Sequence, residues 1–160
     1  MANPSAVVTV SDGVASGRRK DDSGDLASRM LDDAGLGPVA RHVVGDERDR
    51  IAELLRRLVD TGVRLIVTTG GTGLGPRDVT PEATRAIVER DAPGLAELMR
   101  AEGLKKTPHA ALSRGIAGAA RETLILNLPG SPKAVLEGLA SVVPVLSHAL
   151  DLLAGDTEHR

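Results

Sequence analysis

"RLIVTTGGTGLGPRDVTPEATRAIV", residues 64–88, sets the reading of this chain. It opens on the apolar run Leu65-Ile66-Val67, the pattern of a strand covered on both faces. Gly70, Gly71, Gly73 and Gly75 follow within six residues. A helix start comes next, with Thr80 as its cap, Pro81 at its first position and Glu82 in its first turn. Ala83, Ile87 and Val88 fall on its inner side. The exit helix would point its positive end toward the loop, and Thr68, Thr69 and Thr72 would add hydroxyls. Strand, glycine loop and helix together make half of a parallel α/β unit. In such folds ligands gather beyond the C-terminal ends of the strands.

The same grammar extends in both directions. Ala6–Ser11, Val39–Val44, Arg64–Thr69 and Thr123–Leu128 read as short buried strands. A polar loop, residues 12–24, precedes a helix over residues 25–34 with Leu26, Met30, Leu31 and Ala34 on one side and Gly35 as its stop. Asp46 is placed to cap a helix whose Ile51, Leu54, Leu55, Leu58 and Val59 recur at i, i+3, i+4, i+7 and i+8; Gly62 ends it. "PGLAELMRAEG" predicts another helix with Leu95, Leu98 and Met99 inward. Residues 105–122 are rich in Gly and Ala and admit a weak helix or an edge strand around Ile116. A long apolar helix starts at Lys133 and is expected to break or kink at Pro144. The tail, residues 155–160, should fray. Strands alternating with amphipathic helices imply right-handed βαβ units, a mostly parallel sheet and a single domain spanning residues 1–160, with its core over about 6–153.

Composition narrows the function classes. The chain has 160 residues, 26% of them charged, and a formal net charge of −2. That balance offers nothing to nucleic acid or an acidic membrane surface. Cysteine is absent, which removes disulfides, thiolate metal sites and cysteine nucleophiles. No signal peptide is apparent and no apolar stretch is expected to cross a bilayer, so the expected compartment is the cytoplasm. Phe, Trp and Tyr are all absent. A planar ligand must then be held by backbone groups, aliphatic contacts and Arg, and base-stacking platforms are disfavoured.

Four loops leave strand ends, beginning at Asp12, Gly45, Gly70 and Pro129. The glycine loop is neither a Walker loop, because Pro76 follows Gly75, nor G-x-G-x-x-G. Its glycines alone suit a tight turn; its threonines and freed N–H groups suit an anion cradle. Asp78 is either a turn former or a Mg²⁺ ligand, and Asp46 either a helix cap or a second such ligand. Arg77 is a solvated charge or a phosphate clamp. Gly130, Ser131 and Pro132 form a stiff turn, in which Ser131 could cap the next helix or donate to a ligand. Lys133 in that helix's first turn opposes the dipole, which a bound anion would offset. Ser11 and Asp12 could hold a nucleotide or simply end a strand. His42, His109, His148 and His159 lack metal-ligand spacing.

Taken in order, "TVSDG", "DDSG", "GDE", "TTGGTGLGPRDVTPEAT" and "LILNLPGSPKA" resemble the MogA/MoaB molybdopterin-binding family over Val8 to about Leu150. The resemblance implies an α/β three-layer αβα fold and a homotrimer. In its MogA-type branch it implies a molybdopterin adenylyltransferase, which transfers AMP from ATP to the terminal phosphate of molybdopterin with Mg²⁺ and releases pyrophosphate. A different protein then inserts molybdate, so a transient contact with that protein is expected. Asp46 and Asp78 match the family's acidic catalytic and metal positions. Gly70, Gly71, Thr72 and Gly73 match its pterin-phosphate loop. Gly130, Ser131 and Pro132 match its second pterin-side loop, and Ser11 and Asp12 a pair on the nucleotide side. The "RDVTPEA" form favours the adenylyltransferase branch. Gly45 stands where a proline is frequent, and Leu95 where an aromatic is common. The competing readings are a MoaB-like protein that binds pterin without chemistry, and a generic flavodoxin-like regulator. The regulator would need an acidic cluster after the first strand and a Lys after the last strand, and the chain has neither.

Overall fold

The computed structural model describes residues 2–158, and a single six-stranded sheet organises them. The elements run β1 (Ser5–Val10), α1 (Asp12–Ala15), α2 (Asp22–Asp33), β2 (Val39–Val44), α3 (Arg48–Asp60), β3 (Leu65–Thr69), α4 (Thr80–Arg85), β4 (Arg90–Asp91), α5 (Pro93–Leu104), a 3₁₀ turn (Pro108–Leu112), β5 (Ala117–Ala120), β6 (Thr123–Leu128) and α6 (Pro132–Leu153). Strand order is β2-β1-β3-β6-β5-β4. The first four strands in that order are parallel; at one edge β5 pairs antiparallel with β6, and β4 antiparallel with β5.

The period of two along each strand divides the core. Val7, Leu65, Val67, Leu124, Leu126 and Leu128 face α2, α5 and α6, where Ala27, Leu31, Met99, Val135, Leu139, Val142, Leu146 and Leu150 meet them. Ala6, Val8, Val10, Ile66 and Ile125 face α3 and α4. There the row Ile51, Leu54, Leu55, Leu58 and Val59 is buried as its spacing predicts. The result is three layers, αβα. Each fully buried Leu, Ile or Val contributes about 1.5–3 kcal/mol, so aliphatic packing replaces the missing rings.

The registers Val10↔Val44, Thr9↔Thr69 and Thr69↔Leu128 bring the ends of the four parallel strands to one level. The loops at Ser11, Gly45, Gly70 and Pro129 therefore leave from one edge. From the neighbours β1 and β3, the chain goes to α2 on one face and to α4 on the other. That divergence opens a crevice between them.

Several expectations are corrected. Residues 12–24 are not all loop: Ser11 caps α1, accepting from the Val14 N–H at 3.2 Å, and Asp21 caps α2 three residues earlier than expected, accepting from the Gly24 N–H at 3.0 Å. Asp46 caps nothing. The α3 cap position is Glu47, with no side-chain bond. Thr80 is already helical and follows Val79 at the cap; α4 stops at Arg85, so Ile87 and Val88 lie beyond it. With six residues, that helix offers little dipole to the loop. Leu98 is exposed rather than inward. Pro144 does not break α6, which runs unbroken over 22 residues. That helix is also long and apolar enough to span a bilayer, contrary to expectation, although its row from Val135 to Leu150 is buried in the core. The edge strand β5 falls within the ambiguous 105–122 segment, just after Ile116, whereas β4 precedes α5 and was not expected. Residues 156–158 follow α6 without regular secondary structure; His159 lies outside the described residues.

Candidate functional site

Two cavities open at the strand-end crevice. The first, of 490 Å³, runs from Gly70, Gly71, Thr72, Gly73 and Asp78 past Met99, Arg100 and Leu112 to Asn127, Gly130 and Ser131. The second, of 450 Å³, is bounded by Thr69, Ser11, Arg19, Lys20, Asp21, Ser23, Asp46, Asp78, Gly130, Ser131 and Pro132, with Gly70 and Gly71 again. The two share one wall: Gly70, Gly71, Asp78, Gly130 and Ser131.

That wall exists because its glycines permit it. Gly70 and Gly71 adopt φ of +91° and +69°. A Cβ on Gly70 would stand 2.3 Å from the Val10 carbonyl oxygen, and one on Gly71 would stand 2.2 Å from Thr80 Oγ1. Any other residue would strain the backbone and push β3's exit away from β1. The Thr80 hydroxyl donates to the Gly70 carbonyl at 2.9 Å, and the Gly70 N–H to the Leu128 carbonyl at 3.0 Å. On the opposite side, Ser131 caps α6 by accepting from the Ala134 N–H at 3.2 Å. Ser23 Oγ donates to the Gly130 carbonyl, tying this turn to the start of α2. The N-terminal end of a 22-residue helix thus meets the shared wall, a favourable place for an anion.

The acidic side is a linked pair of strand ends. The Asp12 N–H donates to Asp46 Oδ2 at 2.8 Å, and the Asp46 N–H returns a bond to Asp12 Oδ1 at 2.9 Å. Arg77 Nε donates to Asp12 Oδ2 at 2.7 Å. Arg77's hydrogen bond holds the Asp12 carboxyl below the usual carboxylate range, helped by the Asp46 backbone. Burial pushes the Asp46 carboxyl up; the Asp12 N–H opposes this, and the charges of Asp12 and Asp78 add to it. Asp78 Oδ2 accepts from the Gly75 N–H at 2.9 Å, so the turn-forming role is real. Oδ1 of Asp46 and of Asp78 accept no hydrogen bond among the described residues.

The structure therefore brings together Asp46, Asp78, Gly70, Gly71, Thr72, Gly73, Gly130, Ser131, Pro132 and Ser11 around the two cavities. Asp12 lines neither of them; its place is behind Asp46, which it pins. Arg77 is paired with Asp12, and Lys133 lines neither cavity. The Thr68 hydroxyl does not face a ligand space, because Asn127 Nδ2 donates to it at 3.0 Å.

Sequence reasoning missed four contributors. Asn127, buried, also donates to Thr84 Oγ1 at 2.9 Å and accepts from the Ile116 N–H at 3.2 Å, locking β6 to α4 and to the cavity's far wall. Arg19 and Lys20 supply cationic side chains to the second cavity. "GRRK" just after a strand end was the available signal. Arg114 grips the glycine loop, and nothing in its local sequence announces that.

Comparisons with known proteins agree with this fold. A family model described as "Probable molybdopterin binding domain" matches residues 6–148. The chain is similar to the molybdopterin adenylyltransferase of Helicobacter pylori, with 42% identity over 153 residues covering 94% of this chain and 87% of that protein. It is 44% identical over 152 residues to the molybdenum cofactor synthesis protein cinnamon of Drosophila melanogaster, of which it spans only 25%. Among solved structures, the molybdopterin biosynthesis enzyme MoaB of Thermus thermophilus superposes with a TM-score of 0.85 at 52% identity, covering 95% of this chain and 96% of that one.

Proposed function

The chain belongs to the molybdopterin-binding domain family, and we propose that it is a molybdopterin adenylyltransferase of molybdenum cofactor biosynthesis, its 160 residues forming one such domain. The observation that carries this reading is the shared wall. A group transfer between two bound molecules needs two adjoining subsites whose reacting ends meet, and the two cavities meet at Gly70, Gly71, Asp78, Gly130 and Ser131. The first cavity, with Met99, Ala96 and Leu112 among its apolar contacts, suits a pterin; the second, with Arg19 and Lys20, suits a nucleoside triphosphate.

In the reaction, a terminal-phosphate oxygen of molybdopterin attacks the α-phosphorus of ATP, the α–β bridging P–O bond breaks, and pyrophosphate leaves. A phosphate monoester has a second pKa of about 6, so the nucleophile is largely ionised at neutral pH and needs no strong base. The protein's task is alignment and charge neutralisation. The N–H groups of Gly71, Thr72 and Gly73, which meet no protein acceptor among the described residues, and the amino end of α6 hold phosphate oxygens from opposite sides of the wall. Ser23 and Thr80 fix the two turns that carry those groups. Asp12 keeps the Asp46 carboxylate turned toward the second cavity.

Mg²⁺ fits the donor set. It takes one or two carboxylates and completes its shell with phosphates and waters. Asp46 and Asp78 each keep an oxygen without a partner, while no group of three His, Asp or Glu converges among the described residues. The ion would therefore arrive with its triphosphate, held by Asp46 and Asp78, and it would supply neutralisation of the departing charge.

We further read the working protein as a cytoplasmic homotrimer that passes its product to a molybdate-inserting protein. The decisive experiment incubates purified protein with molybdopterin, Mg²⁺ and ATP and follows pyrophosphate. Asp78→Asn should lower its release about 100-fold; full activity at saturating Mg²⁺ would remove Asp78 from the mechanism. The competing reading is a pterin binder without chemistry. Pterin binding with no ATP-dependent pyrophosphate release would establish that alternative.

A further inference from the structure

We infer that Arg114 is a positioning residue that holds the glycine loop, and with it Asp78, in working geometry; its catalytic consequence rests on the reading of Asp78 above. The loop from Thr72 to Val79 has one exposed ion pair of its own to fix it, Arg77 with Asp12 at the end of β1. Three of its residues, Gly73, Gly75 and Pro76, carry no side chain able to anchor it, and residues 74–77 are exposed. Inside the loop, the Asp78 N–H donates to the Gly75 carbonyl at 3.0 Å and the Gly75 N–H to Asp78 Oδ2 at 2.9 Å. Those two bonds close a small ring. They do not place the ring relative to the sheet.

Arg114 does so with one side chain. Its Nε donates to the Gly73 carbonyl at 2.8 Å, and its Nη2 to the Asp78 carbonyl at 2.8 Å. Its Nη1 donates to the Glu82 carboxylate at 2.6 and 3.1 Å, engaging the first turn of α4. Its own backbone N–H donates to the Thr72 carbonyl at 2.8 Å. Both ends of the loop and the helix beyond it are thus bound to one planar group. Only a guanidinium presents enough donors at fixed angles for that; the single ammonium of Lys cannot span both carbonyls and the carboxylate.

The base that carries Arg114 is fixed as well. Arg100 Nη1 donates to the Gly115 carbonyl at 2.7 Å, and Asn127 accepts from Ile116, so residues 113–116 are anchored to α5 and β6. Ser113 and Gly115 line the first cavity, and Asp78 lines both. Arg114 therefore connects the wall of the pterin-side space to the carboxylate at the junction.

The test begins with the unliganded full-length protein. Amide hydrogen exchange of residues 72–79 should quicken about tenfold or more in Arg114→Gln, with Arg114→Lys intermediate, because the loss is local. Exchange in β1 and β3 should stay at wild-type rates. Loop exchange unchanged in both variants would overturn the inference, as would acceleration spread equally over the whole sheet. If Arg114→Gln fails to fold, Arg114→Lys alone decides by the same readout.

Calorimetric titration with Mg-ATP then provides a double-mutant cycle. Arg114→Gln should weaken binding about tenfold in the wild-type background and scarcely at all beside Asp78→Asn, because it acts through that residue. Equal weakening in both backgrounds would overturn the coupling. Wild-type protein that binds no Mg-ATP would instead overturn the adenylyltransferase reading, and the exchange result would still decide the placement of the loop.

Discussion

Gly70→Ala is the sharpest test of how the site is built. The substitution adds one methyl group at φ +91°, where a Cβ meets the Val10 carbonyl oxygen at 2.3 Å. A left-handed backbone costs an L-residue about 1–2 kcal/mol. Forcing a methyl into a filled space costs about 1–3 kcal/mol more. The obstacle is backbone of a central strand, hydrogen-bonded on both sides, so it cannot turn aside as a side chain would. The expected total is about 2–5 kcal/mol, or roughly 5–15 °C in Tm for a domain of this size. Gly62→Ala separates the two contributions. Gly62 follows α3 with φ +87°, and a Cβ there would meet nothing within 4 Å. It should lose only the backbone part, about 1–2 kcal/mol. Urea unfolding followed by circular dichroism at 222 nm reads both variants against wild type. If Gly70→Ala costs no more than Gly62→Ala, the close approach of the loop to β1 is not holding the wall in place.

Three further outcomes are expected. Asp46 has its pKa raised by burial, so its ionisation costs stability: the fold weakens as pH rises from the ordinary 3.8 through the raised value and stays weaker above it. Asp46→Asn should therefore raise Tm at pH 7 and leave it unchanged at pH 3, while pyrophosphate release falls about 100-fold; an equal Tm change at both pH values would contradict the burial argument. Asn127→Leu strips partners from Thr68, Thr84 and the Ile116 N–H, and should cost about 2–5 kcal/mol in urea unfolding, since buried polar groups left unpaired are expensive. Sedimentation at micromolar concentration should give about three times the chain mass of 16.6 kDa, and a monomer would remove the trimer from the proposal.

Much of the fold could be read before any coordinates, for physical reasons. The α3 row declares itself through periodicity, and the central strands through unbroken apolar runs, because burial on both faces leaves no polar position. Capping details failed where several candidates compete: Asp46 and Glu47, or Val79 and Thr80, differ by one residue, and tertiary bonds decide. Asp46 was released from capping by Asp12, 34 positions away. The edge strands were obscure because β5 is "AGAA", with no β-branched residue; its neighbours define it as a strand. In the site, loop glycines and strand-end carboxylates announced themselves by type and position. Arg114 and Asn127 did not, because their function consists of reaching backbone and side-chain groups on distant segments.

The shared wall has a consequence for what happens after the reaction. On the proposed reading, each substrate would occupy one cavity and could leave by its own mouth. The adenylylated product would be one molecule filling both, joined across Gly70, Gly71, Asp78, Gly130 and Ser131. It is in effect a bivalent ligand, whose second half rebinds at the high local concentration imposed by the first. On that reading, such a product should leave more slowly than either substrate, so that its departure rather than the bond exchange would set the turnover. On the proposed reading, a site of this shape would favour direct hand-over of its product above free release into solution.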